Sequence, residues 1–323
     1  MRKMYIPVCI IIVLMIFFSG CKSKNPGDEA VFRISKETCT LSEAKVFLAS
    51  EQARYESALS RSDNIWNVDF DGTNMQDVIK EKVISQLSYI KCINLMANDK
   101  NVKLNKEEEK KAEDAGKEYY AALSDSDKEY VLIDEEGSIE LFKQYLLALK
   151  VFDSITNNVE TEVSDDDARI ITLQQIYIGR DNSNAYDLIV KAQDEIKSGY
   201  DFNSVAGKYN EADAIEITVG RGELDEKLEA VVFSLNTGEK SDIIETDDGY
   251  YLFYCANHYN KELTDSNKED ILAKRKSKAF EDEYEPFVSE LGSKFYDDVW
   301  DEVTINENKI NASFYDIFSK YFK

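Results

Sequence analysis

Residues 169–258 constrain the fold of this chain more than any other segment. The run 170–178 is rich in β-branched residues and is typical of a strand. Residues 185–197 and 201–209 have the apolar spacing of short amphipathic helices. Two apolar, aromatic-rich runs then flank residues 247–249, and Asp-Gly between such runs is a strong hairpin signal. This order of strand, helices, loop, helix and hairpin predicts a small α+β unit with an antiparallel sheet.

Four short motifs occur in order within this segment. They are D-F-x-x-x-A-x-x-Y at 201–209, F-S-L at 233–235, G-E-x-S at 238–241 and T-x-x-G-Y at 246–250. A segment with these motifs resembles the parvulin-type peptidyl-prolyl isomerase domain. The resemblance implies a sheet-and-helix unit with an apolar groove that takes the proline of a polypeptide substrate.

The N-terminus has the pattern of a bacterial secretory signal. Arg2 and Lys3 precede the apolar run 5–18, which is followed by Ser19, Gly20 and Cys21. The ending resembles the lipobox of bacterial lipoproteins, which implies cleavage before Cys21 and lipidation of that cysteine. An uncleaved anchor helix is the alternative, but the apolar run is short for a bilayer span. We therefore expect a lipid-anchored protein at the outer face of the bacterial cytoplasmic membrane.

The segments before and after the parvulin-like region are predicted to be helical. Capping boxes begin at Thr40 and Thr73, and each precedes an apolar stripe at helical spacing. Pro286 is expected to kink the charged helix before it or to begin a new helix, and residues 287–299 continue with an apolar stripe. Aromatic residues at 314–322 form a last stripe, which either packs on the protein's own core or contacts a partner.

This organisation resembles the PrsA/SurA class of extracytoplasmic foldases. In that class the helices on both sides of the isomerase segment combine into one chaperone domain, so the resemblance implies a parvulin-like unit inserted in a mainly α-helical domain. The predicted segments are a signal peptide at 1–20, a tether at 21–35, helical chaperone parts at 36–164 and 261–323, and the parvulin-like domain at 165–260.

The net charge of the chain limits the kinds of partner that it can bind. The chain has 39 Lys and Arg against 63 Asp and Glu, a net charge of −24. Such a field opposes binding to nucleic acid through surface charge.

Cys39, Cys92 and Cys255 remain after the signal peptide and Cys21 are set aside, and an odd number without C-x-x-C spacing argues against a disulfide framework or a zinc site. Buried thiols are expected, with a Cys39–Cys92 bridge as the alternative.

The implied reaction is rotation about an X-Pro peptide bond, which has a barrier of about 18–20 kcal/mol. In parvulins a pair of histidines on neighbouring strands lies beside an apolar cover for the proline. The matching positions here are Gln175 and Tyr251, and Thr246 retains the neighbouring hydroxyl. The only histidine of the chain is His258, which lies beyond the hairpin and is expected at the surface.

The proline cover and the acidic group of the family site are assigned by the same resemblance. The turn G-x-G-x-L at 220–224 places Leu224 and Leu228 at the covering positions, and Phe233 is a third candidate for contact with substrate. The loop that carries the acidic or thiol group in the family is shortened here, which leaves Glu211 and Asp213 as alternatives. The implied reaction needs no cofactor, and no P-loop, dinucleotide or metal motif occurs in the sequence.

Two functions follow, from different classes. The first is a membrane-anchored foldase that acts on exported, unfolded polypeptides with weak or absent isomerase activity. The second is a non-enzymatic chaperone or interaction module, in which Gln175 and Tyr251 only fill the former catalytic space. A solute-binding lipoprotein would need two α/β lobes, which the helical flanks do not indicate. A homodimer is compatible with either function.

Overall fold

The structure is a computed structural model that describes residues 25–58, 65–70, 72–306, 310 and 312–322. The predicted signal peptide, Cys21 and the start of the predicted tether lie outside the described residues. The helices are α1 (Leu41–Ala58), α2 (Met75–Asp99), α3 (Lys106–Ala122), α4 (Asp125–Val131), α5 (Glu135–Thr156), α6 (Asp165–Ala168), α7 (Ala185–Lys197), α8 (Phe202–Tyr209), α9 (Glu226–Val232), α10 (Lys261–Ser289), α11 (Asp297–Trp300) and α12 (Phe314–Tyr321). The strands are β1 (Ala30–Ile34), β2 (Glu37–Thr40), β3 (Asp69–Phe70), β4 (Thr73–Asn74), β5 (Ile171–Gly179), β6 (Glu216–Val219), β7 (Ile244–Glu245), β8 (Gly249–Asn257) and β9 (Ser293–Phe295). Within the described ranges, none of these helices combines the length and apolarity needed to cross a bilayer.

The chain divides into two compact units. The central unit is Ile155–Glu285, and the flanking unit consists of the described residues of Met1–Ser154 together with Pro286–Lys323. The central unit is larger than the predicted parvulin-like segment 165–260, because it includes the end of α5 and most of α10. The other predicted segment boundaries remain a prediction.

The core of the central unit is a four-stranded antiparallel sheet in the order β6-β5-β8-β7. The long strands β5 and β8 pair along their lengths, with Ile176 opposite Leu252 and Tyr177 opposite Tyr251. Strands β7 and β8 form the predicted hairpin, in which Ile244 pairs with Tyr251. The α+β prediction is confirmed.

Both faces of this sheet are covered, because successive side chains of a strand point to opposite faces. From β5, Ile176 and Ile178 pack with α7 and α8. Ile171 and Leu173, at the alternate positions, pack with α9 instead. Strand β8 follows the same alternation. The face under α9 is the one that carries the side chains of the candidate site.

The N-terminal half of α10 belongs to the central unit through specific hydrogen bonds. The backbone N–H of Ile170 donates to Thr264 Oγ1 over 3.0 Å. The Asn267 amide donates to the carbonyl of Ala168 over 3.0 Å, and the Arg275 guanidinium donates to the carbonyl of Glu162 over 2.9 Å. These bonds hold α10 beside the segment that leads into β5.

The expected new helix at Pro286 is not found, because helix α10 continues through Pro286 to Ser289. Pro286 has no N–H to donate to the carbonyl of Asp282, so the alternative, a kink at this point, remains a prediction. The predicted helical stripe at 287–299 is also wrong in part. Residues 293–295 form strand β9, and Phe295 pairs with Phe32 of β1, so the backbone pairing offered by β1 outweighs the helical spacing.

In the flanking unit, the sheet β2-β1-β9 joins its N-terminal and C-terminal parts. Helix α12 packs its aromatic face into the same unit, where Phe314 is fully buried. The ring of Phe314 lies 4.3 Å from that of Phe142 and 5.0 Å from that of Phe47, between centroids. The C-terminal aromatic stripe therefore completes a core of its own unit, as the first of the two interpretations predicts.

The first capping box is confirmed and is joined to a buried ion pair. Thr40 N donates to Glu43 Oε2 over 2.8 Å, and Glu43 N donates to Thr40 Oγ1 over 3.3 Å. The other carboxylate oxygen of Glu43 accepts from Lys91 Nζ at 2.7 Å, and Lys91 is 1% exposed. At the second predicted box, Asn74 rather than Thr73 caps α2, and its side chain accepts from the backbone N–H of Asp77 over 2.9 Å.

All three remaining cysteines are buried. Cys39 is a free thiol, so the Cys39–Cys92 bridge that the sequence left open is not formed. Burial, with the nearby Glu43 carboxylate, raises the pKa of the Cys39 thiol well above its usual value. These are the properties of cysteines that fill a core.

Candidate functional site

A groove with a volume of about 730 Å³ lies on the central unit, between the turn before α9 and the β7–β8 hairpin. Four of the predicted site residues line it: Leu224, Leu228, Thr246 and Tyr251. The other lining residues are Arg180, Glu223, Asp225, Lys227, Glu245, Asp247 and Asp248. Gln175 and Phe233 do not line it. The groove therefore joins the two predicted covering leucines to one of the two predicted histidine-equivalent positions.

The floor of the groove is aromatic at the position of Tyr251. Its ring lies 4.8 Å from that of Tyr177, which is directly opposite in the β5–β8 register, and it stacks at 5.8 Å on Phe253. Gly249 permits this arrangement, because a Cβ there would lie 2.6 Å from Tyr177 Cε2 and 2.4 Å from the carbonyl oxygen of Ile178. The glycine of the T-x-x-G-Y motif is thus a position of close approach.

A polar network surrounds Tyr251, one of the two positions that the family resemblance assigns to the histidine pair. The carboxylate of Asp248 accepts from the hydroxyl of Thr246 and, over 2.7 Å, from the hydroxyl of Tyr251. The Tyr177 hydroxyl donates to the backbone carbonyl of Asp248 over 3.1 Å. The hairpin turn therefore fixes both tyrosine hydroxyls, and Asp248 is the acidic group at the centre of this network.

The network changes the ionisation of its members. Hydrogen bonds from Thr246 and then from Tyr251 lower the pKa of Asp248. Burial, followed by the hydrogen bond to Asp248, raises the pKa of Tyr251 well above its usual value. Around neutral pH, the site therefore holds a carboxylate and neutral phenols. Neither tyrosine offers a charged group to a substrate.

Replacing Tyr251 with Phe is expected to raise the pKa of Asp248, because it removes one of the two side-chain donors that stabilise the carboxylate. A group with a depressed pKa in the folded state stabilises the fold above its unfolded-state pKa, and this contribution is lost as the pH falls through the folded-state value. In the variant, the unfolding midpoint of the central unit should therefore depend less strongly on pH in the acidic range. Carbon-13 NMR titration of the Asp248 carboxyl measures the pKa directly, with Tyr254→Phe as the matched control; an unchanged pKa in Tyr251→Phe contradicts the network.

Gln175 lies on the same face of the sheet as Tyr251, but its side chain forms a hydrogen bond outside the groove. In the register it is opposite Phe253, and its Nε2 donates to the carbonyl of Ala214 over 3.0 Å. The hydrogen bond between Gln175 and Tyr251 that two adjacent strands allow is therefore not formed. Tyr177 is the cross-strand partner that the sequence analysis missed, and the hairpin register is the signal that identifies it.

Phe233 is a core residue beside two arginines. It is 6% exposed, and the guanidinium groups of Arg221 and Arg169 lie 4.1 and 5.1 Å from its ring centre. Such cation–π contacts stabilise the end of α9 where the chain turns towards the hairpin. Phe233 does not line the groove and lies at the C-terminal end of α9, the helix that carries Leu228.

Neither proposed substitute for the family's acidic group enters the groove. Glu211 accepts from the backbone N–H of Gly179 over 2.8 Å and from the Asn182 amide over 2.7 Å, so it ties the loop to the end of β5. Asp213 is exposed and does not line the groove. His258 is exposed, and its Nδ1 lies 2.9 Å from Thr237 Oγ1.

The rim of the groove is charged on several sides. The Arg180 guanidinium donates to Glu245 over 2.7 Å and to the carbonyl of Thr246 over 2.7 Å. Lys227 Nζ donates to the carbonyl of Glu245. The bonds of Arg180 hold the hairpin beside the end of β5, and the bond of Lys227 holds it beside the start of α9. The groove therefore has charged groups at its rim, whereas loss of amide resonance is favoured in a dry pocket.

Comparisons with known proteins identify the family to which part of this unit is similar. Residues 170–257 match the family model described as "Rotamase: PPIC-type PPIASE domain". Over 300 residues the chain is 23% identical to the foldase protein PrsA of Caldanaerobacter subterraneus subsp. tengcongensis, covering 89% of this chain and 94% of that protein.

Solved structures similar to this chain include two PrsA proteins. PrsA from Bacillus subtilis is 18% identical, with 71% of this chain and 93% of that chain covered and a TM-score of 0.28. PrsA from Bacillus cereus is 15% identical, with 81% and 100% covered and a TM-score of 0.34. The assignment depends on the sequence matches and on the order β6-β5-β8-β7 with its groove. Residues 170–257 therefore belong to the PPIC-type peptidyl-prolyl cis-trans isomerase family, the parvulins, and the chain that carries them is PrsA-like.

Proposed function

We propose that this protein is a lipid-anchored extracytoplasmic foldase whose central unit binds X-Pro segments of exported, unfolded polypeptides, with weak or absent isomerase activity. The observation that carries the proposal is the composition of the groove. Leu224 and Leu228 line it beside Tyr251, as a proline cover requires, and no imidazole is among its lining residues. This composition supports binding of a prolyl ring without the imidazoles that the family resemblance implies around the twisting amide.

The state of the two replaced positions supports weak turnover. The hydroxyl of Tyr251 donates a hydrogen bond to Asp248, and the amide of Gln175 donates one to the carbonyl of Ala214. A group that stabilises the twisted amide must be free to donate to it in the transition state. Tyr251 would have to give up its existing hydrogen bond first, and Gln175 does not line the groove.

These same hydrogen bonds favour the second candidate function, a non-enzymatic chaperone or interaction module. A groove with fixed side chains binds an extended segment without changing its isomer. In this alternative the central unit holds prolyl segments while the flanking unit acts on unfolded chains. Holding an unfolded client apart from other clients needs binding alone, so it does not depend on the missing histidines.

Anchoring at the membrane is part of the proposal. The sequence F-S-G-C at 18–21 supports lipidation of Cys21 at the outer face of the bacterial cytoplasmic membrane. Two or more acyl chains give durable attachment, whereas one gives only marginal attachment. A Cys21→Ser variant is suited to testing this part, because it should be released to the soluble fraction if the lipid is the anchor.

We expect a protease-coupled assay on X-Pro tetrapeptides to show turnover at or near the uncatalysed rate, which corresponds to tens to hundreds of seconds. Tyr251→Phe should abolish any residual turnover because Tyr251 lines the groove, whereas Gln175→Ala should have little effect because Gln175 does not. Robust turnover that survives Tyr251→Phe would show that the site lies elsewhere. An aggregation assay with an unfolded client separates the two candidates: suppressed aggregation without turnover supports the chaperone, and turnover that depends on Tyr251 supports the foldase.

A further inference from the structure

The groove has an excess of negative charge. Its lining includes five carboxylates, from Glu223, Asp225, Glu245, Asp247 and Asp248, against two cations, from Arg180 and Lys227. Both cations are already engaged with the hairpin, as Arg180 contacts Glu245 and Thr246 while Lys227 contacts the carbonyl of Glu245. The charge available to a bound polypeptide is therefore anionic.

Two of the lining carboxylates, those of Asp225 and Asp247, accept no hydrogen bond from a side chain of the described residues. Asp247 is exposed, and among the described residues no side chain or backbone group donates a hydrogen bond to it. Asp225 is exposed and accepts only the backbone N–H of Lys227, over 2.9 Å, as the cap of α9. Asp248 adds a third negative charge to the lining, because its partners Thr246 and Tyr251 are neutral hydroxyls.

These carboxylates lie next to the apolar part of the same groove. Leu224 immediately precedes Asp225, and Leu228 is buried one turn of α9 later. Asp247 and Asp248 belong to the turn that presents Thr246 and Tyr251. A proline held against the leucines would therefore have acidic side chains on both sides, within reach of the residues that neighbour it in the substrate.

We propose that the groove selects X-Pro segments in which Lys or Arg stands next to the proline, with the cationic side chain held by Asp225 and Asp247. This inference depends on the proposed function, since it names the substrate class of the same groove. Acidic neighbours of proline are disfavoured by repulsion from the same carboxylates. The net charge of −24 adds long-range attraction for cationic polypeptides.

The test is a binding measurement on the full mature chain with four peptides, Ala-Lys-Pro-Phe, Ala-Leu-Pro-Phe, Ala-Glu-Pro-Phe and Ala-Lys-Ala-Phe. At low salt the Lys-Pro peptide is expected to bind about fivefold more tightly than the Glu-Pro peptide, the range typical of partly exposed charge pairs. In ~1 M salt, where the Debye length is about 3 Å, the difference should shrink to less than about twofold.

Matched variants assign the effect to the two carboxylates. The double variant Asp225→Asn/Asp247→Asn should bind the Lys-Pro and Glu-Pro peptides with equal affinity, and Asn at 225 keeps the helix cap. Asp213→Asn removes an exposed carboxylate of the same unit outside the groove and should leave the preference unchanged. Equal affinities in the unmodified protein, or a preference that survives the double variant, overturn the inference.

The fourth peptide separates failure of this inference from failure of the proposed function. If Ala-Lys-Ala-Phe binds as tightly as Ala-Lys-Pro-Phe, the groove is not a prolyl site and the proposed function is overturned, whereas the charge preference is still decided by the double variant. If the proline is required but its neighbour is not, the function stands and the charge preference fails. Absence of binding by all four peptides overturns both.

Discussion

Phe314→Ala is expected to lower the free energy of unfolding of the flanking unit by about 3–5 kcal/mol, the cost of removing a large buried aromatic side chain. Phe314 is fully buried, and its ring contacts those of Phe47, Phe142 and Tyr145 with centroids 5.0, 4.3 and 5.3 Å away. These partners come from α1 and α5. The loss would therefore show that the C-terminal helix completes a core begun by the N-terminal helices.

The flanking unit has its own spectroscopic reporter. Both tryptophans of the chain, Trp66 and Trp300, belong to it, and the central unit has none. Denaturant unfolding followed by tryptophan fluorescence thus reports this unit alone, which matters because the two units need not unfold together. Phe295→Ala is the control, since Phe295 is 36% exposed and should cost less than about 1 kcal/mol. Equal losses in the two variants would contradict the assigned core.

Lys91→Met is expected to destabilise the same unit by about 3–5 kcal/mol, because it leaves the Glu43 carboxylate without its buried partner. The Lys91 ammonium also donates to Gln144 Oε1 over 2.6 Å, so a second polar atom loses its donor. Glu43 caps α1 through its other oxygen. The substitution therefore weakens a junction of α1, α2 and α5 at once.

A second substitution distinguishes a lost charge pair from lost packing. Lys91→Met combined with Glu43→Gln should recover a large part of the stability, because the glutamine retains an acceptor for the cap and leaves no buried charge. Lys117→Met, which breaks the exposed pair with Glu113 on α3, should leave the unfolding midpoint unchanged. If the double variant is no more stable than Lys91→Met alone, the ion pair is not the cause of the loss.

The local fold of the central unit follows from short-range patterns. The helices predicted at 185–197 and 201–209 are α7 and α8, and the Asp-Asp-Gly turn joins β7 to β8. In each case the apolar spacing, cap or turn residues lie within the element itself. The sheet β2-β1-β9 was not predicted, because a strand of three residues is formed by pairing with a partner far away in the sequence.

The sequence predicts those residues of the site whose positions are determined by motif spacing. It does not predict the residues whose contacts depend on the tertiary structure. Leu224, Leu228, Thr246 and Tyr251 occur at fixed distances from motif glycines, and they line the groove. Gln175 also lies at a motif position, but the irregular loop before β6 brings the carbonyl of Ala214 to its amide. Periodicity does not predict such a contact.

The acidic side chains that line the groove do not come from the loop that the family pattern indicates. The family pattern directed attention to the segment after α8, where Glu211 binds Gly179 instead. Asp248 was already visible in the sequence as a turn residue, and its part in the site depends on Tyr251 lying three residues later on the returning strand. Asp248 is thus both a residue of the hairpin turn and a residue of the candidate site.

NMR mapping of a bound peptide on the isotope-labelled mature chain tests the central claim most directly. On adding Ala-Lys-Pro-Phe, we predict chemical-shift changes at Leu224, Leu228, Thr246 and Tyr251, with cis and trans peptide signals that exchange no faster than in the free peptide. Changes confined to the flanking unit, or equal changes with Ala-Lys-Ala-Phe, would contradict a prolyl groove. Rapid cis–trans exchange at catalytic protein concentrations would contradict the claim that the replaced histidines remove most of the activity.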